Sequence, residues 1–368
     1  MVVILVFSDY TQWLLVRCGT LAGKLGHTYE DVGRRAYGEI GVKIVQTVEI
    51  FNTFGVLCAY LVIIADQSKV LDEWLSPDFI LLRWHSKLFL VAAVVVAITP
   101  LSLLKNISFL SVPSMLSLLA IGMTGLAVII RGFTHAKKAD PAAGLPACDI
   151  DWFHLDNNML YALPVVTLGF TSHINLYAVY GSLKNATPGR MSVVSHVSMI
   201  CAMVFYVGVG TLGYMTFCSE TPSDILTGYS SSDNLIQVCR VLMIASFIFS
   251  YPLLCFPCRH AVEQVFFKGK PFSWPRWIAI TLTIIATTFV VAISVPNVAP
   301  LFALVGSITA TMLVFVMPPL FYLKLHPDPL FSTPSKIFAA VVLIVGSLFG
   351  TGATAAVIYN ITQGNAGG

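Results

Sequence analysis

Charge is scarce in this sequence. Aspartate, glutamate, lysine and arginine together make up 11% of its 368 residues, where a soluble domain carries about 25%. With 57% of residues hydrophobic, there is too little polar surface to dissolve the chain in water, and a soluble globular protein is excluded. The signatures of soluble chemistry are also missing. There is no GxxxxGK[ST], no GxGxxG after a strand and no HExxH, so the phosphate cradle, the dinucleotide fold and the zinc pair built by those spacings are absent. No His/Asp or Ser/His pair stands at catalytic spacing, and neither an enzyme, a cofactor nor a nucleic-acid partner is expected. Strict two-residue alternation is lacking as well. Runs such as "FLVAAVVVAITPLSLL" (89–104) are continuous, which excludes a transmembrane barrel.

Long apolar runs are what the sequence does have. Ten can be counted, near 1–17, 41–65, 87–104, 108–130, 158–180, 193–217, 235–258, 276–296, 299–323 and 336–360. Most reach the roughly 20 residues a helix needs to cross about 30 Å of hydrocarbon. Backbone groups in lipid must be satisfied within their own segment, so the expected fold is an all-α multi-span bundle in one transmembrane domain. If the first run ends inside at Arg17, fourteen of the 21 Lys and Arg residues fall on the inner side and seven on the outer, as the positive-inside rule requires.

The first run is short and has Asp9 at its middle, and "MVVILVFSDYTQWLLVRCG" lacks the basic start and cleavage site of a signal peptide. It reads as the second half of a helical hairpin. The inner connection 19–41 places Tyr29, Val32 and Ala36 among charges, the pattern of an amphipathic helix lying in the membrane interface. The outer connection 132–158 is rich in Pro, Gly and Asp and reads as loop. Six cysteines lie in or beside spans, as small apolar residues do. Cys148 and Cys218 fall on or near outer loops, where a disulfide between them is open.

Polar residues inside the spans carry the functional reading. "TSHINLYAVYG" (171–181) sets Thr171, Ser172, His173 and Asn175 in four of five positions directly after an apolar run. Asp9 and Glu49 are the carboxylates inside spans, and ionisable groups there are functional candidates by default. Asp9 fits a structural pairing with a base, whereas Glu49 fits either a proton relay or a side chain snorkelling to the surface. His173 fits either a pathway lining, where an imidazole would make activity pH-sensitive, or a buried ring bonded to a neighbouring carbonyl.

"YEDVGRRAYGEIG" leading into "FNTFGVLCAYLVIIADQ", "PLSLLKNISFLSVPSMLSLLAIG", "ALPVVTLGFTSHINLYAVYGSL", "YPLLCFPCRHAV" and "VPNVAPLFALVGSITATMLVFVMPPLFYLKL" together resemble the sodium-coupled neutral amino acid transporters of the amino acid/auxin permease superfamily, vacuolar relatives included. The resemblance covers about residues 8–360. It implies eleven spans on the leucine-transporter fold, two inverted five-helix repeats whose first members are broken near the midplane, plus one more helix. The ten runs correspond to family spans two to eleven, so the first span is not among them.

The resemblance makes 158–181 the broken sixth family span. Of the pattern F-x-C-H-P-E-x-x-P-x-Y, Phe170, His173 and Tyr180 are kept and both prolines are absent. A break must then come from Gly169 or from Thr171 and Ser172 competing for backbone carbonyls. The implied substrate site is Gly169, Thr171, Ser172, His173 and Asn175. The implied coupling-ion site is on the family's eighth span, at Ser250 and, one turn earlier, Ser246. The expected activity is secondary transport of neutral amino acids by alternating access, coupled to sodium or protons, in a plasma, lysosomal or vacuolar membrane. The expected partners are an amino acid and the bilayer. A non-transporting sensor, or a partner of an intact relative, is the other class that fits a set of spans without the first.

Overall fold

The computed structural model describes residues 1–22, 28–75, 90–104, 111–135, 157–295, 297–329 and 333–363. Eleven helical segments are taken in order: α1 (Val2–Leu21), α2 (Tyr29–Leu75), α3 (Leu90–Leu103), α4 (Ser111–His135), α5 (Asn157–Gly169), α6 (Leu176–Ser182), α7 (Pro188–Phe217), α8 (Asn234–Phe266), α9 (Trp274–Ser294), α10 (Val298–Leu325) and α11 (Pro334–Thr362). Among the described residues nine spans are long and apolar enough to cross a membrane, α5 and α6 counting as one, and α3 is a shorter apolar helix. The protein is an all-α multi-span membrane bundle.

Two elements differ from their sequence reading. The first helix continues through Arg17 to Leu21. The guanidinium does not end it, because it folds back over the Trp13 ring at 5.0 Å, so charge and aromatic face solvate one another. The connection 19–41 holds a helix from Tyr29 that runs into α2 through a kink at Tyr37 and Gly38, where Gly38 adopts φ 64°. Only glycine takes that conformation without strain. The apolar face of this short arm, Tyr29, Val32 and Ala36, is buried against α1 and α10, with the Tyr29 hydroxyl donating to the Leu313 carbonyl at 3.0 Å. It therefore packs on protein rather than on lipid.

Lipid tails are as apolar as leucine, so helices associate here by close packing and by hydrogen bonds across their faces. One core joins α2, α8 and α9 through Leu57, Leu61, Tyr251, Cys255 and Ile284, and another joins α1, α10 and α6 through Leu14, Leu15, Leu313, Phe321 and Tyr177. Arg259 is buried on α8 and clamps three elements. It donates to the Ser102 carbonyl at 2.7 Å and to Thr281 Oγ1 at 2.9 Å, and it stacks 3.4 Å from the Trp277 ring centre. α7 is peripheral, and its Val193, Val197, Ile200 and Val204, at helical spacing, face outward. α10 widens into π-helical turns at Gly306–Ala310 and Met312–Val316. The Thr311 hydroxyl bonds five residues back to the Gly306 carbonyl at 3.0 Å, which supplies a donor where the wider turn needs one.

Cys218 is disulfide-bonded; Cys148, the partner the sequence leaves open, lies outside the described residues. Loop 218–233 lies at the end of the bundle that the charge pattern of the sequence assigns to the outside. Asp224 accepts from Gln67 of α2, Arg131 pairs with Asp233 at 2.7 Å, and Arg240 donates to the Tyr229 carbonyl at 2.8 Å.

Candidate functional site

The fifth apolar run is broken. α5 ends at Gly169, Phe170 to Ser172 are not helical, a 3-10 turn covers His173–Asn175, and α6 starts at Leu176. The local chemistry explains why. The Thr171 hydroxyl donates to the Thr167 carbonyl at 2.9 Å, occupying the acceptor that the next helical N–H would use. The Thr171 N–H moves to the Leu168 carbonyl at 3.1 Å, and the Ser172 N–H to that of Phe170 at 3.1 Å. The carbonyl of Gly169 accepts from the Tyr206 hydroxyl of α7 at 3.1 Å. Phe170 is buried edge-on to the same Tyr206 ring, 5.5 Å between centres. A break without proline is thus held by hydroxyls on both sides.

The five residues at the break divide into two sets. Gly169, Thr171 and Asn175 line a cavity of about 690 Å³. Ser172 and His173 do not line it and turn to α1. The His173 Nε2 is 3.0 Å from Thr11 Oγ1, Ser172 Oγ accepts from the Gln12 amide, and the Gln12 carbonyl accepts from Ser195 of α7. His173 and Thr11 are fully buried. A turn of irregular backbone rotates successive side chains by other than the helical 100°, so residues 171 and 175 face the cavity while 172 and 173 face a neighbour. α6 is tied to the same helix, the Tyr177 hydroxyl donating to the Leu15 carbonyl at 2.6 Å. Asp9 pairs with His196 of α7 at 2.5 Å, one turn from Gln12, so α1, the break and α7 share one polar seam.

The opposite wall of the cavity is α2. Glu49, Asn52 and Thr53 stand at i, i+3 and i+4, one helical face, and line it with Tyr60 above. Leu254 and Pro257 of α8, Phe302 of α10 and Tyr206 also line it, as do Thr28 and Glu30 of the arm before α2's kink. Polar spacing within an apolar run was the signal for this wall, and it stood in the sequence as the neighbourhood of Glu49. A mostly apolar second cavity of about 670 Å³ shares Leu168, Gly169, Tyr206 and Phe302 with the first and extends to Pro222, Asp224 and Leu226 of loop 218–233.

Ser246 and Ser250 line neither cavity. The Ser246 hydroxyl donates to the Leu242 carbonyl of its own helix at 2.7 Å, the ordinary way a serine is satisfied inside a span. Among the described residues no cluster of three or more His, Cys, Asp or Glu side chains could hold a metal.

A helical bundle around a broken span with a polar cavity is a transporter's arrangement, and comparison with known proteins decides the family. Residues 1–360 match the family described as transmembrane amino acid transporter protein. The chain belongs to that family. Its relatives include the sodium-coupled neutral amino acid symporter 2 of Danio rerio, 27% identical over 381 residues that cover 98% of this chain and 75% of the relative. Family and relative are transporters and not enzymes, so this member of the amino acid transporter family is an integral, multi-pass membrane protein whose activity class is amino acid transport.

Proposed function

We propose that the chain carries neutral amino acids by alternating access, with sodium or a proton moving alongside. The carrying observation is the break at Phe170–Ser172, which turns Thr171 and Asn175 into a cavity that reaches Thr28 and Glu30 of the arm before α2's kink. Loop 218–233, pinned by Gln67, Arg131 and Arg240, lies at the end that the charge pattern assigns to the outside. Two cavities meeting at Leu168, Gly169, Tyr206 and Phe302 supply the ingredients of a site reached from one face at a time. A hydroxyl and a carboxamide offer both donors and acceptors to a zwitterion. The apolar walls at Val56, Leu254 and Phe302 suit an uncharged side chain. In this reading Gly169, Thr171 and Asn175 touch substrate, whereas Ser172 and His173 hold the break in place through α1.

Radiolabelled neutral amino acid uptake into proteoliposomes, with imposed sodium or proton gradients, tests this. The expected result is accumulation driven by one of the gradients, reduced about tenfold or more by Asn175→Leu, the loss of about 1.4 kcal/mol of binding or transition-state energy. Uptake at the level of empty vesicles under both gradients overturns the reading.

A further inference from the structure

Glu49 has a position that no role described so far accounts for. It stands on α2 six residues beyond Lys43, about 9 Å deeper at 1.5 Å per residue, in the interior of a span. The side chain is 8% exposed and that remnant faces the central cavity. Its carboxylate makes no hydrogen bond or ion pair to any described residue. The charged and titratable groups around it are Glu30, which also lines the cavity, and Cys258 of α8. Tyr29, Tyr60, Tyr177 and Tyr206 are the phenols among the described lining residues, and none of those residues is a lysine, arginine or histidine.

An ionised carboxylate removed from water costs several kcal/mol unless a positive charge meets it. Among the described residues, the walls of this cavity offer negative charge alone. No described residue compensates Glu49, and a cation entering the cavity would.

The chemistry beside it selects the kind of charge. Thr53 commits its hydroxyl proton to the Glu49 backbone carbonyl at 2.7 Å and lies within hydrogen-bond reach of the Cys258 thiol, so one lone pair of its oxygen remains for a ligand. The Asn52 amide oxygen accepts from Thr309 of α10 at 3.0 Å, which fixes the carboxamide and leaves that oxygen a second lone pair. A carboxylate, an amide oxygen and a hydroxyl oxygen on one helical face form the set of oxygen ligands that hard cations take.

We propose that Glu49, with Asn52 and Thr53, is the cation site of this cavity, and that it holds a sodium ion facing Thr171 and Asn175 at the break. The proposal rests on the transporter reading and deepens it. It places a cation on α2, apart from the Ser246 and Ser250 site that the resemblance implies, where the ion neutralises a buried carboxylate in the same cavity as the groups assigned to the amino acid. An amino acid's carboxylate would gain from the neighbouring cation, so ion and substrate would bind cooperatively.

Sodium binding is measurable without transport. The purified full chain in nanodiscs is titrated with sodium chloride against choline chloride, at fixed ionic strength and pH 7.5 and without amino acid, reading radioactive sodium retention and the thermal midpoint. The expected result is saturable binding in the natural protein, with half-saturation raised about tenfold or more by Glu49→Gln, a weakening of about 1.4 kcal/mol. Glu49→Asp, which keeps the charge, stays within about threefold, and Asn52→Ala, which keeps the carboxylate, lies between them.

Equal sodium curves for the natural protein and Glu49→Gln overturn the assignment. So does an intact sodium response in Glu49→Gln accompanied by lost amino acid binding, which would give the carboxylate to the substrate ammonium. Stabilisation by acid with no sodium response in the natural protein also overturns it, in favour of a proton. A protein that binds sodium through Glu49 but fails to accumulate any amino acid would contradict transport while leaving this site standing.

Discussion

Replacing Gly306 by valine is expected to abolish the folded protein, and Gly306→Ala to lower its thermal midpoint sharply. A Cβ built at Gly306 would lie 2.1 Å from the Pro164 carbonyl oxygen and 2.5 Å from its carbon. Both are backbone atoms, so no rotamer change relieves the contact. α10 would have to withdraw from α5, and overpacking of this kind costs about 1–3 kcal/mol or more even in adaptable cores. Gly306 also opens the first π-helical turn of α10, where its carbonyl accepts from Thr311. The displacement would therefore spread into the wall that carries Phe302. Size-exclusion profiles and thermal midpoints of a fluorescent fusion check this. Gly352→Ala is the comparison, since nothing lies within 4 Å of its added carbon. That variant should stay within about 0.5 kcal/mol of the natural protein, and equal behaviour of the two alanine variants would refute the close approach.

Thr11→Val is the second substitution with a large expected effect. It keeps the shape of the side chain and removes the hydroxyl that lies 3.0 Å from His173 Nε2. An imidazole nitrogen left unpaired in a fully buried position costs about 1–3 kcal/mol. Because His173 sits in the turn between Thr171 and Asn175, the loss should also misplace the cavity face, raising KM for amino acid more than it lowers the amount of folded protein. His173→Leu removes the other partner. If the contact holds the break, the double variant Thr11→Val/His173→Leu should cost less than the sum of the two single changes by about 0.5–3 kcal/mol. Strictly additive midpoints would reduce His173 to ordinary packing.

How much of this was legible in the sequence follows from which physical rule governs each feature. The bundle was legible because hydrocarbon demands long uninterrupted apolar helices, and α7 to α11 follow the runs at 193–360. The break was legible in chemistry rather than in proline: Thr171 takes the Thr167 carbonyl, as a hydroxyl placed there can. The direction each polar residue faces was not legible. Once the helix unwinds, spacing no longer fixes angle, and Ser172 and His173 turn to Gln12 and Thr11 while Asn175 turns to the cavity. Arg17 reads as a helix end because charge and lipid conflict, and the sequence does not show that Trp13 receives it. Ser246 illustrates the converse. Its hydroxyl donates to its own helix and it lines neither cavity, a direction that spacing along the span does not give. Glu49 was visible as a carboxylate in a span, but its place opposite the break depends on how α2 is rotated against α8, which only the packed structure sets.

Cysteine accessibility at Asn175 tests the central claim most directly, that the break turns its polar side chains into a water-filled cavity open to the inner side. Asn175→Cys and Leu176→Cys, introduced separately on the natural background, are treated with a membrane-impermeant thiol reagent from the inner face, with and without a neutral amino acid. Asn175 lines the cavity, whereas its neighbour Leu176 is buried against α1. The account predicts rapid labelling of Asn175→Cys above the natural protein, slowed by amino acid, and no added labelling of Leu176→Cys. An unreactive Asn175→Cys, or equal labelling at both positions, would contradict it.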